Sequence, residues 1–185
     1  MTGEHVSPPR RIAVIGTSGS GKSTLARQIA AAIGAPHIEL DALFHQPNWV
    51  PADRDAFRAE VSAAIAGPAW VTDGNYSNFL RDIIWPAADE IVWLDYPFRI
   101  VVWRLLLRTT RRGIRREVLW NGNRESLRGN FLSRGSLFLW AKNTHWKHRR
   151  DWPVVLASPE MARVRLVRLH RPRDADAWLR ALAER

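Results

Sequence analysis

The feature that most constrains the fold is a glycine-rich turn within RIAVIGTSGSGKSTLARQIA, residues 11–30. From Gly16 to Ser23 the spacing reads G-x-x-x-x-G-K-S, a pattern whose glycines let backbone amides converge on phosphate oxygens. Glycine tolerates the backbone angles of such a turn at low cost. We therefore predict a nucleotide-phosphate site formed by the turn residues Gly16, Ser18, Gly19, Ser20, Gly21, Lys22, Ser23 and Thr24.

The segments on either side of this turn agree with that interpretation. Residues 12–15 are rich in β-branched side chains, which favours a strand. After the turn, Leu25, Ile29 and Ile33 recur at a spacing of four, which predicts a helix. The N-terminus of that helix would add partial positive charge beside the bound phosphates.

The rest of the chain alternates between predicted strands and predicted helices. Strands are expected at residues 35–40, ending at Asp41, at 69–76, ending at Asp73, at 89–97 and at 163–172. Helices are expected at residues 53–66, at 100–110 and at 174–183, the last capped by Asp174. This alternation predicts an α/β fold with a parallel sheet, helices on both faces, and ligands at the carboxyl ends of the strands.

Two acidic residues follow predicted strands at that edge of the sheet. An ATP-bound Mg²⁺ needs oxygen ligands, for which Ser23 supplies a hydroxyl and Asp73 or Asp41 a carboxylate. Three roles stay open for Asp41: base toward a hydroxyl acceptor, holder of a magnesium-bound water, or cap of the following turn.

Positive charge is concentrated in one segment of a chain whose formal net charge is +10. Residues 99–150 hold 14 Lys and Arg against 2 Asp and Glu, and the remainder holds 14 against 16. Such a basic excess indicates an anionic partner. Within it, Arg104 and Arg108 lie four residues apart on one helix face, suited either to phosphate contact or to solvation.

The amino-acid composition limits the metal sites that the chain can form and argues against a membrane span. The chain has no cysteine, so it has neither disulfides nor thiolate metal ligands, and any metal is expected to be oxygen-bound. Charge interrupts every apolar run well short of a membrane span. We expect a cytoplasmic protein with a flexible tail at residues 1–10 and a single domain at 11–185, without membrane association. Monomer and homodimer both stay open.

Four blocks of the sequence carry a resemblance to a known family: GTSGSGKSTLA, LDALFHQPNWV, WVTDGNY and IVWLDYPFRIVVWRLLLR. Together they resemble the nucleoside-monophosphate-kinase group of P-loop phosphotransferases, in particular the small adenylate-kinase-like bacterial proteins labelled DNA topology modulation proteins. The resemblance implies a three-layer P-loop NTPase sandwich with strand order 2-3-1-4-5. It also implies ATP and Mg²⁺ as cofactors and transfer of the γ-phosphate to a nucleoside monophosphate or similar small acceptor.

The resemblance also suggests roles for individual residues. Asp73 matches the magnesium-associated carboxylate at the end of the third strand. Arg104 and Arg108 lie at the family's offsets from Asp95 and resemble the arginines that cover the adenine and grip the transferring phosphate. Arg81 is a candidate to replace the family's acceptor-binding arginine, which has no match in DGNY.

The acceptor pocket is expected beside Asp41. Its walls are expected to include Phe44, Trp49, Asn75 and Tyr76, whose rings either stack on a base or fill the core. The four histidines at positions 37, 45, 145 and 148 lack metal-ligand spacing and are expected to be surface or packed residues.

The Arg- and Trp-rich insert at residues 111–152 has two interpretations. One is a lid that closes over ATP, with an arginine from the set Arg111, Arg112, Arg115 and Arg116 reaching the γ-phosphate. The other is an ATP-binding module whose basic surface binds nucleic acid or a protein partner, using the stacking residues Trp120, Trp140, Trp146 and Trp152.

Overall fold

A computed structural model describes residues 10–115, 117–123 and 137–184 of the chain. Strands and helices alternate along these residues. The strands are β1 (Arg11–Gly16), β2 (His37–Glu39), β3 (Trp70–Asp73), β4 (Glu90–Leu94) and β5 (Arg165–Leu169). The helices are α1 (Lys22–Ile33), α2 (Leu40–Phe44), α3 (Arg54–Ala64), α4 (Ser77–Ala87), α5 (Phe98–Arg115), α6 (Leu137–Leu156) and α7 (Pro172–Ala183). Single 3₁₀ turns lie at Pro47–Trp49, Trp120–Gly122 and Pro159–Met161.

The five strands form one parallel sheet in the order β2-β3-β1-β4-β5, which confirms the predicted order and fold class. β1 is central, and its side chains from Ile12 to Ile15 are at most 3% exposed. The register aligns Val14 with Asp73 and Gly16 with Leu94. The ends of β1, β3 and β4 therefore meet at one edge, where ligands of such sheets bind.

Two apolar cores cover the faces of the sheet, as its continuous apolar strands predict. One core includes Leu25 and Ile29 of α1 with Leu182 of α7. The other includes Phe57 and Val61 of α3. Each fully buried side chain of this size contributes about 1.5–3 kcal/mol to folding.

The second half of α6 belongs to this second core. Trp152 is 4% exposed and packs edge-on against Trp93, with ring centroids 5.4 Å apart, and against Trp85 at 6.0 Å. The prediction that Trp152 contributes to a stacking surface for nucleic acid is therefore wrong, because its ring is enclosed by core residues.

Three local predictions need correction, and one helix was not predicted. β2 ends at Glu39, and Asp41 lies in the first turn of α2, because Leu40 turns inward and is 3% exposed. Helix α4 was not predicted. Strand β4 ends at Leu94 instead of continuing to residue 97.

The last correction concerns the start of α7. This helix begins at Pro172, whose missing N–H suits the first helical position, so Asp174 is the third helical residue and not the cap. Its carboxylate still accepts a hydrogen bond from the Arg171 backbone N–H, at 2.9 Å.

Some predictions fall outside the described residues: the tail at residues 1–9, Arg116, and residues 124–136 of the insert. Across the described ranges, none of the helices has both the length and the apolar character needed to cross a membrane.

Candidate active site

The glycine-rich turn adopts the backbone that its sequence predicts. Gly19 and Gly21 have φ values of 89° and 96°, in the left-handed region that favours glycine. A Cβ on Gly19 would also lie 2.8 Å from the carbonyl oxygen of Val101 on α5. The turn leads directly into α1, where Lys22 is 7% exposed. Its backbone amides thus lie at a helix N-terminus, an arrangement that favours the binding of an anion.

A polar triad lies where α1, β2 and β3 meet. The Ser23 hydroxyl donates a hydrogen bond to Oδ2 of Asp73, and His37 Nε2 lies 2.8 Å from Oδ1 of Asp73. Asp73 is 1% exposed. Sequence reasoning missed His37, because only the parallel β2–β3 register, which pairs Glu39 with Asp73, brings these two side chains together.

The triad matches the oxygen-rich surroundings that Mg²⁺ prefers, since a hydroxyl and a buried carboxylate already lie in contact beside the phosphate-binding turn. Within the described ranges, no group of three or more His, Cys, Asp or Glu side chains is arranged to hold a metal ion. A metal at Ser23 and Asp73 would therefore complete its coordination with phosphate and water oxygens.

A second polar pair joins α2 to the start of α4. The Tyr76 hydroxyl donates to Oδ1 of Asp41 over 2.7 Å. Burial, together with the charge of Asp41, raises the pKa of Tyr76 far above its ordinary value, so the phenol stays a hydrogen-bond donor. Phe44 packs between Tyr76 at 4.7 Å and the fully buried Phe57 at 5.1 Å, and it also lines the cavity described below.

Asn75 holds the ends of β1 and β3 together. Its amide donates to the Gly16 carbonyl over 2.5 Å and accepts from the Gly16 N–H over 3.2 Å. The amide group that was predicted to face an acceptor is thus bonded to the backbone at the start of the phosphate-binding turn.

The predicted arginines of α5 face the same turn. Arg104 Nη1 donates to the Ser20 carbonyl over 2.7 Å, and its guanidinium lies 5.4 Å from the ring centroid of Tyr96. Arg108 and Arg112 follow at one-turn intervals and line the same cavity. Arg81 does not: it is exposed on α4 and lines a separate depression of about 540 Å³.

These groups surround one cavity of about 1240 Å³. The residues that were predicted from the sequence and that line this cavity are Ser18, Gly19, Ser20, Gly21, Lys22, Ser23, Thr24, Asp41, Phe44, Trp49, Asn75, Tyr76, Arg104 and Arg108. Asp73 lies behind Ser23 and does not line it. Arg112, one of the arginines that the lid interpretation places near the γ-phosphate, also lines the cavity. Lining residues that the sequence did not assign to this pocket include His45, Trp120, Trp140 and Asp176. This volume exceeds the common size of single-ligand sites and is sufficient for two adjacent substrates.

Helix α6 carries two buried histidines, of which His145 contacts the glycine-rich turn. His145 Nδ1 lies 3.3 Å from the Thr17 hydroxyl, and His148 stacks on Trp152 with ring centroids 3.8 Å apart. Burial lowers the pKa of both histidines, and the pKa of His148 falls to about 4. Both residues are packed, which is one of the two alternatives that the sequence left open, and the lowered pKa of His148 keeps this imidazole neutral at pH 7.

An ion-pair cluster fastens α6 to the sheet. Asp95 follows β4, is 3% exposed, and accepts from Arg149 Nε over 2.5 Å and from Arg168 Nη2 over 2.7 Å. Arg149 lies on α6 and Arg168 on β5, so one buried carboxylate joins a helix and two strand ends.

No protein-family model and no curated protein sequence matches the chain. Among solved structures, a gluconokinase from Sinorhizobium meliloti 1021 is 24% identical, with a TM-score of 0.51 over 95% of this chain and 94% of its own. A shikimate kinase from Bacteroides thetaiotaomicron is 14% identical, with a TM-score of 0.56 over 95% of this chain and 97% of its own. The chain has the fold of P-loop kinases. The narrower resemblance to topology-modulation proteins stays a prediction.

Proposed function

We propose that the protein is a kinase that transfers the γ-phosphate of ATP to a small acceptor. The observation that carries this proposal is that the phosphate-binding turn and the Asp41–Tyr76 pair face one cavity of about 1240 Å³. A donor phosphate and an acceptor oxygen would lie side by side there. The two kinases with the same fold support it. Because ATP is a cytoplasmic metabolite, we place the reaction in the cytoplasm.

On the donor side, the chain's own groups bind and neutralise phosphate. The turn amides and Lys22 hold the β- and γ-phosphates, and Arg104, whose guanidinium contacts the turn at Ser20, adds positive charge above them. Ser23 and Asp73 would hold Mg²⁺, which when bound supplies charge neutralisation between the β- and γ-phosphates. Arg108 and Arg112 extend the positive wall along α5.

On the acceptor side, Asp41 acts as the base toward a hydroxyl. The carboxylate oxygen that Tyr76 does not reach accepts the proton, while Tyr76 orients the carboxylate through Oδ1. A bond forms between the acceptor oxygen and the γ-phosphorus, the bond from that phosphorus to the β–γ bridging oxygen breaks, and ADP leaves. A nucleoside monophosphate would need no such base, because its attacking phosphate oxygen is already ionised.

The deciding experiment is a substrate panel. Purified protein is incubated with Mg·ATP and, in turn, with nucleoside monophosphates and small hydroxyl compounds, while ADP formation is followed with and without each. We expect ADP formation that depends on one class of acceptor. ADP formed at the same rate with every compound, or none despite measured ATP binding, would contradict the proposal.

A second candidate is a nucleic-acid-binding ATP module, which the exposed rings of Trp140 and Trp146 near the basic residues of α6 favour. A binding module should keep salt-sensitive nucleic-acid binding after Lys22→Ala and lose it when the insert arginines 111, 112, 115 and 116 are neutralised. A kinase instead loses turnover after Lys22→Ala while it stays folded. Glu117 lies 3.5 Å from Arg111 and 3.7 Å from Arg112, which reduces the charge that these two arginines present.

A further inference from the structure

The acceptor-side wall of the cavity is a narrow loop at residues 44–52. Its ends pair through Ala52 N–H, which donates to the Phe44 carbonyl, and Gln46 N–H, which donates to the Val50 carbonyl, each over 2.8 Å. At its tip, Asn48 and Trp49 have φ values of 62° and 59°, a left-handed conformation that residues other than glycine rarely adopt. Such a conformation persists where surrounding contacts hold it.

Asn123 supplies those contacts from the insert. Its side chain is buried and forms two hydrogen bonds to the loop tip: Nδ2 donates to the Gln46 carbonyl, and Oδ1 accepts from the Trp49 N–H, each over 2.9 Å. Asn123 is itself held within a turn, because its carbonyl accepts from Leu119 N–H over 2.7 Å. One side chain therefore bridges two backbone groups on either side of the loop tip.

A second asparagine adds to this connection. Asn121 Nδ2 donates to the His45 carbonyl over 2.6 Å and lies 3.3 Å from the Ala42 carbonyl. The two asparagines together attach residues 117–123 to α2 and to the loop that follows it.

The same attachment sets the positions of three rings in the cavity wall. Trp120 stacks on His45 with centroids 6.1 Å apart and meets Trp49 edge-on at 6.4 Å. His45, Trp49 and Trp120 all line the cavity on the side of Asp41. A shift of the Asn123 turn would therefore move the surface that an acceptor contacts, without touching the phosphate-binding turn.

We infer that Asn123 is a positioning residue for the acceptor: it couples the insert to the loop at residues 44–52 and fixes Trp49 and Trp120 in the acceptor wall. The term acceptor here rests on the proposed kinase function. The coupling itself is a property of the described contacts and can be tested separately.

The test compares Asn123→Asp with a matched control, Asn143→Asp, at an exposed position on α6. The aspartate keeps the shape of the side chain but places a carboxylate oxygen against the Gln46 carbonyl in place of the donating NH₂ group. Hydrogen exchange read by mass spectrometry should speed up about tenfold or more at residues 44–52, with residues 16–24 unchanged. Exchange at wild-type rates in residues 44–52 would overturn the inference.

Kinetics separate positioning from a general structural role. With the panel member that supports ADP formation, Asn123→Asp should raise the acceptor KM about tenfold, while the KM for ATP stays near wild type. Parallel losses for ATP and acceptor, or a lowered melting temperature with both, would overturn the positioning role. Absence of acceptor-dependent ADP in the wild type would instead refute the kinase proposal and leave the exchange result to decide the coupling.

A second variant, Asn121→Gly, tests the same connection with a smaller risk of misfolding. Asn121 has a φ of 54°, so Asn121→Gly keeps a backbone conformation that glycine tolerates and removes only the amide that bonds to His45. We expect faster exchange at residues 42–46 in this variant. If it exchanges as wild type, the insert does not hold the acceptor wall.

Discussion

At the scale of single residues, the proposed donor half of the site depends on Lys22. It is largely buried at the start of α1 and opens onto the cavity. We predict that Lys22→Ala lowers kcat by about 10²–10³-fold, the usual effect of removing one group that stabilises developing phosphoryl charge. ADP formation checks this, with Lys142→Ala on an exposed part of α6 as the control. Retention of turnover in the Lys22 variant would remove the basis of the donor site.

A substitution of Asp41 distinguishes a hydroxyl acceptor from a nucleoside monophosphate. For a hydroxyl acceptor, we predict that Asp41→Asn lowers kcat by about 10²–10⁴-fold, because the general base is lost, while ATP binding is retained. For a nucleoside monophosphate the loss should stay within a fewfold, since no proton has to be removed. Steady-state kinetics with each class checks this, and Asp55→Asn, exposed in the first turn of α3, is the control.

At the scale of secondary-structure elements, α6 links the phosphate-binding turn to the core through His145, His148 and Trp152. The pKa of His148 is about 4 in the folded protein, below the ordinary value of 6.5. Above pH 6.5 the imidazole is neutral in both states. As the pH falls from 6.5 toward 4, the unfolded chain takes up a proton that the folded chain does not, so stability is lost over that window.

We therefore predict that His148 alone lowers the free energy of unfolding by about 2 kcal/mol between pH 7 and pH 5. Urea unfolding at both pH values measures this loss. In His148→Phe, which keeps a ring against Trp152, the difference between the two pH values should shrink by that amount. An unchanged difference would show that His148 does not titrate as its burial indicates.

The secondary-structure elements also show which features of the fold can be predicted from the sequence. The position and the backbone conformation of the glycine-rich turn could be predicted, because G-x-x-x-x-G-K-S is a local pattern whose glycines have a conformational reason. Helix α4 was missed: Ile83, Ile84 and Trp85 form a continuous apolar run, and Pro86 follows, so the spacing of Leu80 and Ile84 was not read as a helix. The contact of His37 with Asp73 has no local signal, because it depends on strand register.

In the candidate site, too, local sequence patterns could be predicted, whereas contacts between distant segments could not. Asp41, Asp73 and Arg104 could be predicted because each lies at or near a strand end or on a helix face with a clear period. The hydrogen bonds of Asn123 to Gln46 and Trp49 join residues more than seventy positions apart. No pattern within either segment encodes that pairing, so only the folded chain reveals it.

At the scale of the whole molecule, the proposed nucleotide site predicts that the binding of Mg·ATP stabilises the fold. Mg·ATP at about 100 times its dissociation constant should raise the free energy of unfolding by about 2.7 kcal/mol, because it binds only the folded chain. Urea titrations with and without Mg·ATP measure this, and Mg²⁺ alone is the control. The same stabilisation in Lys22→Ala, at the same concentration, would contradict a role for Lys22 in phosphate binding.

The bond between Asn75 and Gly16 has a consequence for redesign. The Asn75 side chain bonds to both backbone groups of Gly16, where the glycine-rich turn begins. Asn75 also directly precedes Tyr76, which bonds to Asp41 in the cavity. If the proposed function holds, the acceptor specificity therefore cannot be changed by exchanging this segment alone. A segment grafted from a kinase of the same fold would also have to supply an amide at position 75, because otherwise the glycine-rich turn would lose its hydrogen bonds to Asn75.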